Sequence, residues 1–211
     1  MTGVSYGESM DRLLEELGRL PGVGRRTAER LAHHILRLPD EQALRLAVAI
    51  RDVKRHTLVC SQCGNIGDED PCRICSDARR DPSVICVVET PRDVAALEAA
   101  SAFRGRYHVL GGKVSPLDGV SAADLSLERL RARAAEPEVE EIVVATSPDL
   151  EGDGTALYVE RVLRDLDVRV TRISRGVPTG YSLENSSAAM LTDAVRGRRA
   201  VPRLDPDDTD A

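Results

Sequence analysis

Residues 60–75 read CSQCGNIGDEDPCRIC, and this spacing constrains the fold more than any other feature of the chain. Cys60 and Cys63 form one C-x-x-C pair and Cys72 and Cys75 another, with eight residues between them. Two such pairs supply four thiolates to a tetrahedral zinc ion and leave no coordination position for water or substrate. Gly64 permits the tight knuckle that follows the first pair. A segment of about 25 residues has little core of its own, so a structural zinc would stabilise it directly. The N-terminus lacks the basic start and apolar stretch of a secretory signal, so the expected compartment is the cytoplasm, where thiols ligate metals rather than pair as disulfides. The fifth cysteine, Cys86, lies in the apolar run VICVVE and is expected in a core.

The 211 residues are enough for two or three small domains, and 42% hydrophobic with 30% charged residues describes a soluble globular chain. No apolar run approaches the roughly 20 residues of a membrane span. The net charge of −6 is uneven: residues 1–80 carry 13 Lys and Arg against 12 acids, and the remainder is acidic. Within residues 19–37, Arg19, Arg25, Arg26, Arg30 and Arg37 face only Glu29, so any phosphate-binding face is expected to be N-terminal. Aromatic residues make up only 2%, which leaves little on which bases could stack; contact with nucleic acid would be to its backbone.

The N-terminal segment has helical periodicity. Met10, Leu13, Leu14, Leu17 and Leu20 share one face with Ser9 as the expected cap, RRTAERLAHHILRL continues the period, and a third helix is expected to start at a capping Asp40. His33 and His34 have no evident ligand partners. The intervening LPGVG resembles the turn of a helix-hairpin-helix motif. Gly22 and Gly24 are expected to take positive φ, so that the amides of the turn and of the next helix N-terminus point at a phosphate. The DNA-contacting set on this reading is Arg19, Gly22, Val23, Gly24, Arg25 and Arg26.

From residue 83 the pattern changes to β-branched runs (SVICVVE, YHVLGG, EEIVVAT, VRVTRIS) alternating with amphipathic helices. Such alternation predicts an α/β fold, a Rossmann-like parallel sheet with flanking helices, whose ligands gather at the carboxyl ends of the strands. Glu89 ends the first strand; Ser147, Asp149, Glu151 and Asp153 follow the third. A strand ending in Glu and a later SPDLEGDG resemble the Toprim domain of topoisomerases, primases and some nucleases, where a glutamate and a D-x-D pair hold Mg²⁺. On that pattern Glu89 and Asp149 match ligands, Asp153 matches a further acid, and Ser147 replaces the first aspartate with a neutral hydroxyl. Glu89, Asp149, Glu151 and Asp153 are expected to serve partner binding or weak Mg²⁺ binding, so Mg²⁺ is a possible ligand there.

The order of parts is more specific than any one of them. Helices with the LPGVG turn, a four-cysteine zinc site and a Toprim-like sheet together resemble the bacterial RecR recombination mediator family across nearly the whole chain, supported by LGRLPGVGRRTAERLA, VVETPRDVAALE, YHVLGGKVSPLDGV and EGDGTALYVERVL. The resemblance implies a non-catalytic DNA-binding protein, a dimer or tetrameric ring. With RecO-like and RecF-like partners it would help load the RecA recombinase on gapped DNA at the nucleoid. A Mg²⁺-dependent Toprim nuclease or topoisomerase is the alternative, and it lacks an evident nucleophile, since Tyr158 falls inside a helix in a position suited to packing. The expected organisation is a small all-α DNA-binding domain (1–55), zinc finger (56–80), Toprim domain (81–176), Walker-B-like oligomerisation segment (177–199) and disordered acidic tail (200–211). In the fourth segment Glu184 is kept, but Asn185, Ser186 and Ser187 stand where the family pattern has acids. Any nucleotide-related role of that segment is thereby in doubt.

Overall fold

A computed structural model describes residues 6–200, so most of the expected acidic tail lies outside the described residues. The chain divides into two compact units between Thr57 and Leu58. The first holds α1 (Glu8–Gly18), α2 (Arg25–Arg37) and α3 (Asp40–His56). Helices α1 and α2 pack together, and Ala28 and Ala32 are buried there because small side chains let the two helices approach closely. Met10, Leu13, Leu14 and Leu17 are half-buried as their spacing predicts, whereas Leu20 lies past the end of α1 and is exposed. Ser9 is inside α1 and Gly7 takes the N-cap position; likewise Pro39, not Asp40, precedes the first turn of α3. Each boundary is displaced by one or two residues, because the expected side-chain caps are not made and helix ends are set by the backbone. Along α3, Leu46, Ile50 and Val53 form an exposed apolar stripe at helical spacing.

The second unit begins with a knuckle, whose short strands β1 (Leu58–Val59) and β2 (Ile66–Gly67) pair antiparallel. A doubly covered sheet follows: β3 (Asp81–Val88), α4 (Pro91–Ala99), β4 (Gly105–Val109), α5 (Leu127–Ala134), β5 (Glu141–Val144), α6 (Leu150–Leu163) and β6 (Arg169–Arg172), then α7 (Ala188–Arg196). The four strands run parallel in the order β4-β3-β5-β6. Alternate residues of β3 serve two cores. Ile85 and Val87 join Leu130, Ile142, Val144, Val159 and Leu163, the cluster built with α5 and α6. Cys86 and Val88 join Val94, Tyr107, Val109 and the knuckle residues Cys60, Cys63 and Cys72. A strand covered on both faces must be apolar at successive positions, which is why ICVV carries no polar alternation. Cys86 is a core residue as expected, its thiol pushed up to about 12 by burial.

The direction of the chain on this sheet creates a crevice. From β3 the chain crosses to β4 on one side, and from β5 it crosses to β6 on the other. The carboxyl ends of β3 and β5 are adjacent and mark the topological switch point, where doubly wound sheets bind ligands. Glu89 and Ser147 follow those two strands.

On the α5 side, His108 is fully buried beside Arg133. The Arg133 guanidinium donates to the Tyr107 carbonyl at 2.7 Å and lies 3.3 Å from His108 Nδ1. A guanidinium cannot accept, so Nδ1 must be the acceptor and the ring proton sits on Nε2, which reaches the Ser126 carbonyl at 3.1 Å. Burial first, and the Arg133 charge second, lower the imidazole from 6.5 to about 4. A base whose folded value is depressed contributes stability that is complete above about pH 6.5 and lost as pH falls toward 4. The difference in unfolding free energy between wild type and His108→Gln should therefore narrow by about 2–3 kcal/mol between pH 7 and 4.5. Urea titrations at the two pH values measure it, and an unchanged difference would contradict a neutral buried imidazole.

Candidate functional site

The knuckle brings Cys60, Cys63, Cys72 and Cys75 together with all four sulfurs within 4.8 Å of one another. Cys60 and Cys75 sulfurs are 3.9 Å apart and those of Cys63 and Cys72 are 3.6 Å apart. A zinc tetrahedron with bonds of about 2.3 Å has edges of about 3.8 Å, so the donor set has the size that zinc requires. The Asn65 and Cys72 amides each donate to a sulfur, Cys63 and Cys60 respectively, at 3.4 Å, an arrangement that favours thiolates. The thiols also compete for charge. Cys63 is drawn down to about 5 by the neighbouring Cys75 thiol, then by the Asn65 amide, while Cys75 is driven up by the nearby Cys63 sulfur and Cys72 by burial. A divalent cation at the centre removes that conflict, so the residues fit zinc. Gly64 takes φ 75°, and its amide closes the knuckle turn by donating to the Cys60 carbonyl at 2.9 Å. The Cys63 carbonyl accepts from the Val109 amide at 2.7 Å, which joins the knuckle to the end of β4.

At the turn between α1 and α2, Gly22 has φ 77°. Gly24 does not share this conformation: it is extended, with φ −80°, and forms the N-cap of α2. Val23 is half-buried, its amide donating to the Leu20 carbonyl at 3.0 Å. The first helical bond runs from the Ala28 amide to the Gly24 carbonyl, so the amides of Arg25, Arg26 and Thr27 head the helix. No side chain caps this end, and its first turn holds no acid but two arginines. Cations at a helix N-terminus are unfavourable by about 0.3–1 kcal/mol, and an anion there would reverse the sign. Arg25 meets Glu29 at 3.2 Å, and Arg19 meets Glu15 at 2.7 Å and Glu16 at 2.9 Å. These exposed pairs contribute little, so a phosphate can compete for either arginine.

At the switch point the acids stand at the head of α6 rather than in a loop. Asp149 is the N-cap, accepting from the Gly152 amide at 2.7 Å, with Glu151 and Asp153 in the first turn. Gly152 is required there, because a Cβ would collide with the Ser147 carbonyl. Ser147 turns its amide and hydroxyl on Glu89, donating to the two carboxylate oxygens at 2.7 Å and 2.8 Å. The other acids meet basic residues that no spacing in the sequence singled out. Lys113 Nζ bridges Asp149 at 2.6 Å and Glu151 at 2.9 Å, and Ser115 donates to Glu151 at 2.5 Å. Arg172 holds Asp153 at 2.7 Å, and Arg175 pairs with the same carboxylate. Hydrogen bonds lower all three acids: Lys113 acts first on Asp149, Ser115 on Glu151 and Arg175 on Asp153. Among the described residues, the four cysteines are the one group whose donor atoms converge as a metal site requires. With their carboxylates held by Ser147, Lys113, Arg172 and Arg175, the residues of the crevice do not fit Mg²⁺. Tyr158 lies two turns into α6, with 39% of its surface exposed, beyond these acids in the chain.

The C-terminal segment contains a 3-10 turn at Leu183–Asn185 and α7. Ser187 caps α7 by accepting from the Met190 amide at 3.3 Å, and Ser186 donates to the Ser182 carbonyl at 3.1 Å. The two serines thus serve local turn geometry.

Comparison with known proteins accounts for the three parts in order. The RecR helix-hairpin-helix family matches residues 10–54, the RecR four-cysteine zinc finger family residues 59–77, and the Toprim domain family residues 83–174. The Recombination protein RecR of Heliobacterium modesticaldum is 51% identical over 196 residues, covering 93% of this chain and 98% of its own. That of Streptomyces coelicolor is 50% identical with the same coverage, and that of Acidothermus cellulolyticus 48%. No helix among the described residues is long and apolar enough to cross a membrane. With all three parts matched and about half of its residues identical to these relatives over nearly the full length, the chain belongs to the RecR family of recombination proteins.

Proposed function

We propose that this protein is a non-catalytic, DNA-binding recombination mediator acting in DNA repair, with DNA held through its phosphate backbone. The observation that carries the reading is the N-terminus of α2: without a side-chain cap, with no acid in its first turn and with Arg25 and Arg26 there instead, it suits an anion. Gly22, Val23 and Gly24 shape the approach, and Arg19 adds charge from the end of α1. The low aromatic content supports contact without base stacking. Cys60, Cys63, Cys72 and Cys75 hold the structural zinc. The crevice supports the non-catalytic part of the reading, since its acids are engaged by the protein's own cations.

The family supports partners in the recombination machinery, and we assign RecO-like and RecF-like proteins, with delivery of RecA to gapped DNA as the outcome. Glu89, Asp149, Glu151 and Asp153 remain the surface proposed for a basic partner, which would have to exchange with Lys113, Arg172 and Arg175 rather than meet free carboxylates. The exposed stripe of α3, together with exposed Tyr181 and Leu183 near α7, supports assembly of copies into a dimer or ring. A cytoplasmic, nucleoid-associated location follows from this role.

Two outcomes test the assignment. Replacing Arg25 and Arg26 by Ala should weaken binding to all DNA sequences alike and reduce the slope of log affinity against log salt by about two, roughly one per lost phosphate contact. Fluorescence anisotropy across a salt series reads both quantities, and an unchanged slope would make the turn merely structural. Elemental analysis should find one zinc per chain, and Cys63→Ser or Cys72→Ser should release it. Because the knuckle shares a hydrophobic cluster with β3 and β4, the loss should lower the melting temperature of the sheet unit as well as expose residues 58–77 to protease. Zinc-free wild type melting at the same temperature would remove the metal from the account.

A further inference from the structure

A Toprim crevice in a catalytic protein gathers carboxylates around a divalent cation, and the same crevice here is filled by other means. Glu89 is satisfied directly by a hydroxyl and an amide of Ser147. Asp149 and Glu151 share one ammonium, at 2.6 Å and 2.9 Å, which are hydrogen-bond lengths. Asp153 is turned toward β6, where Arg172 and Arg175 flank it. Three positive side chains thus meet three of the four carboxylates, and Ser147 meets the fourth, all at the carboxyl end of the sheet.

The ammonium is fixed in place rather than a loose surface contact. It comes from the segment after β4, which leaves the strand through Gly111 and Gly112 at φ 93° and 156°. The next residues are fastened to α6: the Val114 amide donates to Thr155 Oγ1 at 2.9 Å, and Ser115 donates to Glu151. The Lys113 side chain is only 28% exposed. A residue tethered on its C-terminal side to the same helix that carries both carboxylates holds its position without a metal.

We propose that Lys113 is the resident cation of this crevice, its ammonium taking the place of a divalent metal between Asp149 and Glu151, with Arg172 and Arg175 completing the neutralisation. The carboxyl ends of β3, β4, β5 and β6 are then drawn together by the chain's own charges, and the fold is independent of Mg²⁺ at this site. Electrostatics gives the reason for exclusion. A divalent ion entering beside Asp149 would face the ammonium as a like charge, and among the described residues no third acid converges with Asp149 and Glu151 as a metal site requires. The inference is independent of the DNA-binding assignment.

The test is Mn²⁺ binding to the full-length, zinc-loaded protein, followed by electron paramagnetic resonance, with Mg²⁺ protection followed by thermal shift. Wild type should show no saturable site lost on Asp149→Asn. Lys113→Gln, which keeps hydrogen-bonding capacity without charge, should bind Mn²⁺ at least about tenfold more tightly, the direction expected when a like charge leaves a cation site. Adding Asp149→Asn to that variant should abolish the gain, and Lys113→Arg should behave as wild type. Wild-type Mn²⁺ binding that Asp149→Asn removes would overturn the proposal even if no Lys113 variant folds, and so would a folded Lys113→Gln that gains no metal. DNA affinity measured in EDTA on the same samples reports separately on the mediator reading, since its loss would leave the metal result untouched.

Discussion

Four sulfurs within 4.8 Å of one another, three of them from buried cysteines, form the arrangement on which one whole face of the sheet depends. The knuckle contributes only two-residue strands of its own, but its cysteines line the same apolar cluster as Cys86, Val88, Tyr107 and Val109. Structural zinc in such sites contributes about 10–16 kcal/mol at neutral pH, comparable to the total stability of an ordinary domain. Remove the cation, and four thiols that share charge at close range must be reprotonated inside a packed cluster. The metal is therefore part of the core rather than an ornament on a peripheral finger, and the hydrogen bond from Val109 to Cys63 carries that dependence into β4.

The opposite end of the sheet solves an electrostatic problem without a metal. The acids at the start of α6 are favourable for the helix itself, since carboxylates at the first turn complement its dipole. Lys113, Arg172 and Arg175 then neutralise them across the crevice. The two ends differ in kind. At the knuckle the ligands are all of one sign and call for an outside ion, whereas at the switch point the chain supplies both signs. The contrast with α2 is equally instructive: there two arginines crowd the positive end of a helix with no acid in its first turn, a local conflict that a bound phosphate would resolve.

Much of this was legible in the sequence because the signals are local. The cysteine spacing, the β-α alternation and the turn LPGVG each depend on residues near one another in the chain, and the structure places them accordingly. The partners of the acids were not legible. Lys113 lies 36 residues before Asp149, and Arg172 lies 19 residues after Asp153. They meet only because the order β4-β3-β5-β6 brings the segments after β4 and β6 to the two sides of α6, and strand order is not encoded in periodicity. Ser147 shows the same limit. A serine in place of an acid reads as a loss, yet in the fold its amide and hydroxyl satisfy Glu89. The smaller errors at Ser9, Asp40 and Gly24 arise where backbone geometry, not a side-chain signal, fixes the ends of helices.

On the proposed reading, a Toprim fold with its switch point filled by its own cations serves as a scaffold and not as a catalyst. Incubation of purified zinc-loaded protein with supercoiled plasmid, in EDTA and with Mg²⁺ or Mn²⁺, measures this directly. The plasmid should stay supercoiled under every condition while still being bound. Metal-dependent nicking or relaxation that disappears in Glu89→Gln or Asp149→Asn would contradict it.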